Sequence, residues 1–427
     1  MKAVGDLSTF SGLRHRNYRL FWTGSLVSLI GTWMQGTAQS YLVWELTHSA
    51  FATSLTVLFF SLPSTMLSLL GGVIADRFDR RRLLLVTQST FMLQAVVLAA
   101  LTFAGLIEVW HIYVLALVNG TVMAFDAPVR QSMIPSLVAR EDLTNAIALN
   151  ATAFNASRVI GPPVAGLLYA AAGPAWCFAL NAVSYLAILY VIAIIRPAGG
   201  EEAGRVRTDL WSDLREGLDY VRAHAVVRTL LLMVALVGTF AFSYVVLMPV
   251  FASSVLGAGP AGNGFLLGGA GIGATLGGLT VASLRPRRPG RFIVWVGFAS
   301  VVALVGFALS RDLALSIALS AAIGASVMMF LTLCNSTIQS RLPDALRGRV
   351  MSIYTLALIG SGPLNSLIAG VLGSALGAAL AIAFSGLVMA LAIALITLRN
   401  RGFLDLDGRM ETAPASQQTL EPVGSGR

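Results

Sequence analysis

Long apolar runs alternate along the chain with short polar segments rich in arginine, glycine and proline. A helix needs roughly 20 predominantly apolar residues to cross the hydrocarbon core of a bilayer. The pattern predicts twelve membrane-spanning helices, called spans 1 to 12 below: 18–44, 50–75, 83–105, 110–134, 145–171, 174–195, 228–252, 262–284, 292–310, 313–337, 351–375 and 377–398. The predicted fold class is therefore an all-α membrane protein.

A longer polar segment separates spans 6 and 7. Within it Leu210, Leu214, Leu218 and Val221 recur at three- and four-residue spacing, which predicts an amphipathic helix on the inner face of the membrane. The chain divides accordingly into four parts: an N-terminal six-helix bundle (1–195), a cytoplasmic linker with the amphipathic helix (196–227), a C-terminal six-helix bundle (228–398) and a disordered cytoplasmic tail (399–427).

The two bundles repeat each other in sequence. Gly71-Gly72 precedes an arginine-rich loop, and so does Gly277-Gly278, 206 positions later. The segment 131–135 matches 339–343, since each begins with Gln-Ser and ends with Pro, at an offset of 208. A duplicated six-helix unit predicts two pseudo-symmetric halves, with a substrate site between them near the membrane midplane.

Positive charge is distributed to one side of the predicted topology. If the N-terminus is cytoplasmic, 27 of the 29 lysines and arginines fall in cytoplasmic loops and tails or at the adjoining span ends; the exceptions are Arg158, in span 5, and Arg311, in the loop between spans 9 and 10. This is the positive-inside bias of plasma (inner) membrane proteins, and it places both termini in the cytoplasm. It also explains the net charge of +9 without any nucleic-acid partner.

Composition excludes several classes of protein. Only 11% of the residues are charged and 56% are hydrophobic, whereas soluble domains carry about 25% charged residues. The single lysine, Lys2, excludes an ATP-binding Walker A motif. The four histidines lie in loops and tails, and Cys177 and Cys334 lie in apolar runs. We predict neither an enzyme, nor a cofactor, nor a metal site.

The loop between spans 2 and 3 carries the most specific motif. Gly72 is followed by Asp76-Arg77 and then by Arg80 and Arg81, which resembles the signature of the major facilitator superfamily. Asp79 stands where that family usually has a second glycine. The resemblance implies a gate that holds the cytoplasmic side shut, with Asp76 near a helix N-terminus of the other half. The alternative is a basic loop that only sets topology.

Further segments narrow the resemblance to one branch of that superfamily. Residues 31–35, 126–138, 155–166 and 347–350 are similar to the enterobactin-exporter branch of drug:proton antiporters, which also contains macrolide exporters. In span 5, Gly161, Pro162 and Gly166 resemble an antiporter motif that implies export. The alternative is a packing kink with no bearing on direction, because glycine and proline are common in membrane helices.

Charged residues inside a membrane are costly and are therefore functional candidates. Here they are Asp126 with Arg130 in span 4, Arg158 in span 5 and Glu45 at the outer edge of span 1. If a carboxylate couples proton flow to transport, Asp126 is the first candidate and Glu45 the second. The alternative, favoured by the inward position of Asp126, is a permanent ion pair or a latch to the loop between spans 2 and 3.

The helices expected to line the cavity are spans 1, 4, 7 and 10, by analogy with the family. They supply these aromatic, methionine and amide candidates: Trp33, Gln35, Gln39, Phe240, Tyr244, Met329 and Asn335. Such surfaces suit bulky, partly apolar ligands.

We therefore predict a monomeric, secondary active transporter in the lipid bilayer that exports small amphiphilic molecules, drugs or siderophore-like metabolites, against protons by alternating access. One alternative is a secondary importer or facilitator of a polar metabolite. Another is a non-transporting receptor or assembly factor.

Overall fold

A computed structural model describes residues 8–195, 210–284 and 286–404, and all regular secondary structure in these ranges is helical. Twelve long helical elements follow the predicted spans: Arg16–Thr47, Ala50–Arg77, Arg80–Phe103, Val109–Met133, Leu143–Ala172, Pro174–Ile194, Ala225–Val255, Gly259–Ser283, Pro289–Leu309, Leu313–Gln339, Asp344–Leu376 and Ala378–Arg399. The predicted all-α fold with twelve spans is confirmed. The predicted tail beyond Leu404 lies outside the described residues.

Ten of the described elements are both long and apolar enough to cross a membrane. The other two long helices are span 1 and span 5, with 32 and 30 residues. Both lie inside the molecule, since span 1 contacts spans 2, 5 and 6 and span 5 contacts spans 1 and 8. Polar side chains on the contacting faces of these helices can therefore bond to other helices.

Helices pack within each half and at two seams between the halves. In the first half span 1 packs against spans 5 and 6, span 2 against span 4, and span 3 against spans 4 and 6. In the second half span 10 packs against spans 8 and 9, and span 9 also contacts span 12. The two seams pair span 5 with span 8 and span 2 with span 11.

Two spans are broken where proline interrupts the backbone ladder. Span 7 consists of Ala225–Phe240, Ser243–Val250 and a π-helical turn, Phe251–Val255, which follows Pro249. Span 11 breaks at Gly360, three residues before Pro363. Proline lacks the N–H that would bond to the carbonyl four residues earlier. The sequence pattern predicted both as single helices, because hydropathy does not register a local break.

The linker contains a helix, Leu210–Ala223, whose described side chains rest on the start of span 11. Glu216 Oε1 lies 2.5 Å from Arg349 Nη1, and a Cβ on Gly217 would meet Ile353 at 3.0 Å. Below, the side of the molecule that carries this helix is called the linker end, and the opposite side the far end.

A short 3-10 helix, Ser8–Arg14, covers the start of span 5 at the linker end. The Gly12 amide donates to Asn145 Oδ1 at 2.9 Å, and His15 Nε2 lies 2.8 Å from Asp142 Oδ2. Hydrogen bonds from Ser11 and His15 hold the pKa of the Asp142 carboxyl below its ordinary value. The N-terminal segment is thus fixed to the helix that carries the antiporter-like motif.

Candidate functional site

A buried carboxylate, Asp126, is the centre of a polar cluster formed by spans 1, 3 and 4. Its Oδ1 accepts hydrogen bonds from Thr87 Oγ1 at 2.7 Å and from Gln88 Nε2 at 2.6 Å. Its Oδ2 accepts from Arg130 Nε and Nη2, both at 3.2 Å. Arg130 Nη1 donates in turn to Ser25 Oγ of span 1 at 3.2 Å. The carboxylate is 3% exposed, so its charge depends on these four donors.

The Asp126–Arg130 pair is local, because an i,i+4 spacing places both side chains on one face of span 4. Burying two charges is costly unless they are paired and hydrogen-bonded, and here both conditions hold. Every partner named above belongs to the first half, whereas the side chain of Arg77 lies outside the described residues. The pair alternative for Asp126 therefore matches the observed contacts of the described residues.

A second polar chain runs through spans 1, 3 and 6. Gln35 Nε2 donates to Gln94 Oε1 at 2.8 Å, and Asn181 Nδ2 donates to Gln35 Oε1 at 2.7 Å. All three side chains are at most 3% exposed. The prediction that Gln35 lines the cavity is thus wrong for this conformation, because its amide joins helices of one half. Gln39 is likewise buried and donates to the Ile112 carbonyl at 3.4 Å.

A cavity of about 600 Å³ lies among spans 7, 10 and 11. Its wall is mainly apolar, with Phe242, Met328 and Leu358, and its polar groups include Asn335 and Asn365. The Asn365 Oδ1 atom is buried without a hydrogen-bond partner. Such a mixture, apolar walls with a few oriented amides, is typical of sites for small organic molecules.

Of the predicted cavity residues of the second half, one lines the cavity and three do not. Asn335 lines the cavity as predicted. Tyr244 does not line it, because it is 1% exposed and packs edge-on against Phe307, with 6.2 Å between the ring centroids. Phe240 and Met329 pack against the apolar core, and their sequence neighbours Phe242 and Met328 line the cavity in their place. A difference of one or two positions turns a helical side chain by about 100° or 200°.

Trp33, the third predicted cavity residue of span 1 beside Gln35 and Gln39, lies against span 5. Its ring centroid is 6.0 Å from the Arg158 guanidinium carbon and 5.8 Å from the Phe154 ring. One turn along span 1, a Cβ placed on Gly36 would meet no atom within 4 Å. This face of span 1 therefore borders open space, although the helix is surrounded on its other sides.

A second cavity, of about 610 Å³, lies at the far end, lined by residues of both halves. Glu45 and Tyr169 of the first half line it together with Ser253 of the second. The Tyr169 hydroxyl donates to Glu45 Oε2, and Ser253 Oγ donates to the Tyr41 hydroxyl at 2.9 Å. Glu45 is therefore the described carboxylate nearest to a contact between the halves.

In the loop between spans 2 and 3 the described arginines bind carbonyls of their own half. Arg80 Nη1 donates to Ser132 O at 3.0 Å, and Arg81 Nε donates to Ile192 O at 2.9 Å. These carbonyls lie at the ends of spans 4 and 6, where helix carbonyls lack intrahelical partners. The two arginines thus fasten span 3 to spans 4 and 6. The side chains of Asp76 and Arg77, and Gly72, lie outside the described residues.

Asp79 occupies the position where a glycine is usual in the related signature. Its φ of −59° is in the ordinary range, so no glycine is needed there. Its carboxylate accepts from the Arg82 amide at 2.7 Å and thereby caps span 3.

The motif of span 5 lies at close contacts on two sides. A Cβ on Gly161 would lie 2.6 Å from Trp33 Cβ of span 1, and a Cβ on Gly166 would lie 2.5 Å from the Pro260 carbonyl oxygen of span 8. Gly166 is therefore at the seam between the halves, whereas Gly161 packs within the first half. Pro162 itself is buried in a helix that remains continuous.

The seam between spans 5 and 8 is close only toward the far end. Gly264, Gly268 and Gly271 of span 8 each lie against residues of span 5, the last against Arg158 and Val159. Further toward the linker end, Gly277 and Gly278 lie against span 10. Among the described glycines of span 8, the closest contacts with span 5 thus end at the level of Arg158.

No group of three or more potential metal ligands occurs among the described residues, and both cysteines are buried thiols. The twelve-helix fold agrees with what comparison with known proteins gives. A family model described as "transmembrane secretion effector" matches residues 7–418. The chain belongs to this family of major facilitator transporters.

Curated relatives of the transporter are about equally distant. The staphyloferrin A transporter of Staphylococcus aureus is 25% identical over 84% of this chain and 90% of its own length. The enterobactin exporters EntS of Shigella boydii and Escherichia coli are each 25% identical over 91% of this chain and 94% of their own length. The resemblance predicted from sequence motifs is confirmed at the level of the family and its exporter branch.

Two solved structures have the same fold. A bacterial homologue of the human lysosomal transporter Spinster, inward-facing and unoccupied, superposes with a TM-score of 0.73 at 16% identity, covering 94% of this chain and 99% of that one. The nucleoside transporter NupG gives a TM-score of 0.69 at 13% identity, covering 91% and 99%. At such identities the likeness extends to the fold alone.

Sequence reasoning missed several polar residues of the site: Thr87, Gln88, Gln94, Asn181 and Asn365. Each is a polar residue within an apolar span, and that signal was available in the sequence. It does not reveal which neighbour each one bonds, because that depends on how each helix is rotated about its own axis.

Proposed function

We propose that this transporter is a proton-driven exporter of small amphiphilic molecules, including siderophore-like metabolites. The observation that carries the proposal is the apolar cavity of about 600 Å³ with buried amides, in a chain whose family is that of secretion effectors. A cavity of this size and polarity suits a ligand with an apolar body and a few polar groups. Two curated relatives are named as siderophore transporters, which supports this substrate class.

Protons are proposed to act through Asp126. In the described conformation the carboxylate is ion-paired with Arg130, and a proton that neutralises it is proposed to release this partner. Release of Arg130 would also break its bond to Ser25 and loosen span 4 from span 1. Glu45, beside the contact of the two halves at the far end, is the second candidate.

The two halves, 1–195 and 228–398, are proposed to rock against each other while the linker 196–227 joins them. Contacts such as Ser253 to Tyr41 and Gly166 to Pro260 close the far end, so the described conformation is proposed to be inward-facing. This assigns the linker end to the cytoplasm, in agreement with the positive-inside bias. The loop signature at Asp76 is proposed to close that end in the opposite state. We further propose that the transporter resides in the inner membrane and works as a monomer.

The test is proton-coupled transport in inverted vesicles with an acidified lumen. Fluorescent amphiphiles and siderophores are added, and proton loss from the lumen is followed with a pH-sensitive dye. The proposal expects substrate-dependent proton release from vesicles with the transporter and none from vesicles without it. If no compound releases protons while the protein is present at normal abundance, proton-driven export is refuted.

The coupling group is tested in the same vesicles. Asp126→Asn and Glu45→Gln are compared with Asp312→Asn, a helix-capping acid at the far end that should transport normally. Loss of proton release in Asp126→Asn, with substrate binding retained, supports the first candidate. Normal coupling in Asp126→Asn together with loss in Glu45→Gln assigns coupling to Glu45 instead.

A further inference from the structure

One cation in the membrane interior has no acidic partner among the described residues. Arg158 lies at the middle of span 5, 15 residues beyond its start, and is partly buried. None of the described salt bridges includes it, and the described contact of its guanidinium group is the Trp33 ring at 6.0 Å. A charged side chain at this depth normally pairs with another charge or borders a water-filled pathway.

The charge of Arg158 is not balanced elsewhere in the interior. Asp126 is the one acid of the described spans that lies away from the helix ends, and it is already paired with Arg130. The second half has no acid away from the ends of its spans. The interior of the transporter therefore carries a net positive charge located at Arg158.

Arg158 also lies where a substrate would meet it. It marks the level at which the closest contacts of the described span 8 glycines with span 5 end. On the same face of span 5, Phe154 and Ile147 are 47% and 54% exposed, so neighbouring helices leave this face partly uncovered.

We propose that Arg158 binds an anionic group of the transported molecule, while the aromatic rings of Trp33 and Phe154 bind its flat apolar body. The substrate class is accordingly an anionic amphiphile, bearing a carboxylate, sulfonate or similar group, and cationic drugs are excluded. This inference rests on the proposed export function and specifies its substrate.

The physical basis is the unpaired charge. A guanidinium in a low-dielectric site attracts an anion strongly and repels a cation, and its planar fork suits an oxyanion. An aromatic ring beside the arginine adds a face on which an aromatic ligand stacks. A ligand anion would supply the partner that span 5 lacks. A cation would be repelled by Arg158 and would also lose its hydration on entering the site.

The test compares three probes that differ in charge: anilinonaphthalene sulfonate, phenylnaphthylamine, which is the same skeleton without the sulfonate, and the tetraphenylphosphonium cation. Binding to the transporter in nanodiscs is measured by calorimetry, with empty nanodiscs subtracted. The transporter is expected to bind the sulfonate at least about tenfold more tightly than the neutral amine, and the cation least tightly.

Three variants separate a binding role from a structural one. Arg158→Gln is expected to abolish the preference for the sulfonate while leaving the affinity for the neutral amine within about twofold. Arg158→Lys is expected to retain most of the preference for the sulfonate. Arg311→Gln, a change of an arginine at the far end, should leave the preference intact. A purely structural arginine would weaken both naphthalene probes together.

The wild-type preference does not depend on the variants and tests the proposal even if Arg158→Gln fails to fold. Equal binding of sulfonate and amine, tighter binding of the cation, or an unchanged preference in folded Arg158→Gln would each overturn the inference. Failure of the proposed function is distinct, since it appears as absence of proton release with every compound, whatever its charge.

Discussion

Replacing Gly166 by alanine should open the far end of the transporter. An alanine Cβ would lie 2.5 Å from the Pro260 carbonyl oxygen and 3.0 Å from the Ala261 Cα, both across the seam of spans 5 and 8. Ordinary contact begins at 3.4 Å, so the two backbones must part by about 0.9 Å. Overpacking of this kind costs typically about 1–3 kcal/mol. Because the clash exists only while the far end is closed, this energy favours the opposite state by roughly 5- to 150-fold.

Two glycines of span 8, the helix across the seam from Gly166, provide matched controls. Gly278→Ala meets its nearest atom, Met328 Cγ, at 3.8 Å and should change nothing. Gly273→Ala would place a Cβ 1.8 Å from the Ala321 carbonyl oxygen within the second half. That clash persists in both states, so this variant should lower the amount of folded protein without opening the far end.

The assay is labelling of a cysteine at the far end. Ser54 is fully buried beside span 11, and both native cysteines are buried, so Ser54→Cys gives a single reporter that every variant carries. A membrane-impermeant maleimide should label it at least about fivefold faster in Gly166→Ala than in Gly278→Ala. Equal rates at equal abundance would refute the conclusion that Gly166 holds the far end closed.

Three further predictions use smaller perturbations. Ser253→Ala removes the hydrogen bond to Tyr41 between the halves, worth about 1 kcal/mol, and should also speed labelling at the far end by up to about fivefold. Asp79→Ala loses the cap of span 3 and should lower stability by about 1 kcal/mol in chemical unfolding, whereas Asp79→Asn should keep most of it. Because its hydrogen bonds lower the pKa of Asp142, the anchoring of residues 8–14 should be complete above the carboxyl's ordinary pKa, about 4, and lost as the pH falls through the lowered value. Hydrogen exchange of that segment, followed from pH 7 downward through the acid range and corrected for intrinsic rates, should show this loss below the lowered pKa, and Asp142→Asn should exchange fast throughout.

The spans were predictable because hydropathy reports burial in lipid directly. The Asp126–Arg130 pair was also accessible, since its i,i+4 spacing is a property of one helix. The bonds of Asp126 to Thr87 and Gln88 were not, because they depend on how spans 3 and 4 are rotated against each other.

The same limit explains the misassigned cavity residues. Gln35 was expected to face the substrate, since an amide in a membrane helix suits either a ligand or another helix. In the structure the Gln35 amide bonds to other helices, through Gln94 and Asn181. Phe240 and Phe242 are equally aromatic, and only the break in span 7 after Phe240 decides which one reaches the cavity.

Prolines place free backbone carbonyls at both seams. Pro162 and Pro163 leave the carbonyls of Arg158 and Val159 without intrahelical N–H donors, and glycines of span 8 lie against these oxygens. Pro363 likewise frees the Ile359 carbonyl, which accepts from Thr65 Oγ1 at 3.3 Å. Contacts between the halves made by main-chain oxygens carry no titratable group. Separation of the halves at these points should therefore be indifferent to pH and ionic strength, so that a proton gradient can drive the cycle only through the few ionisable side chains and not by loosening the seams themselves.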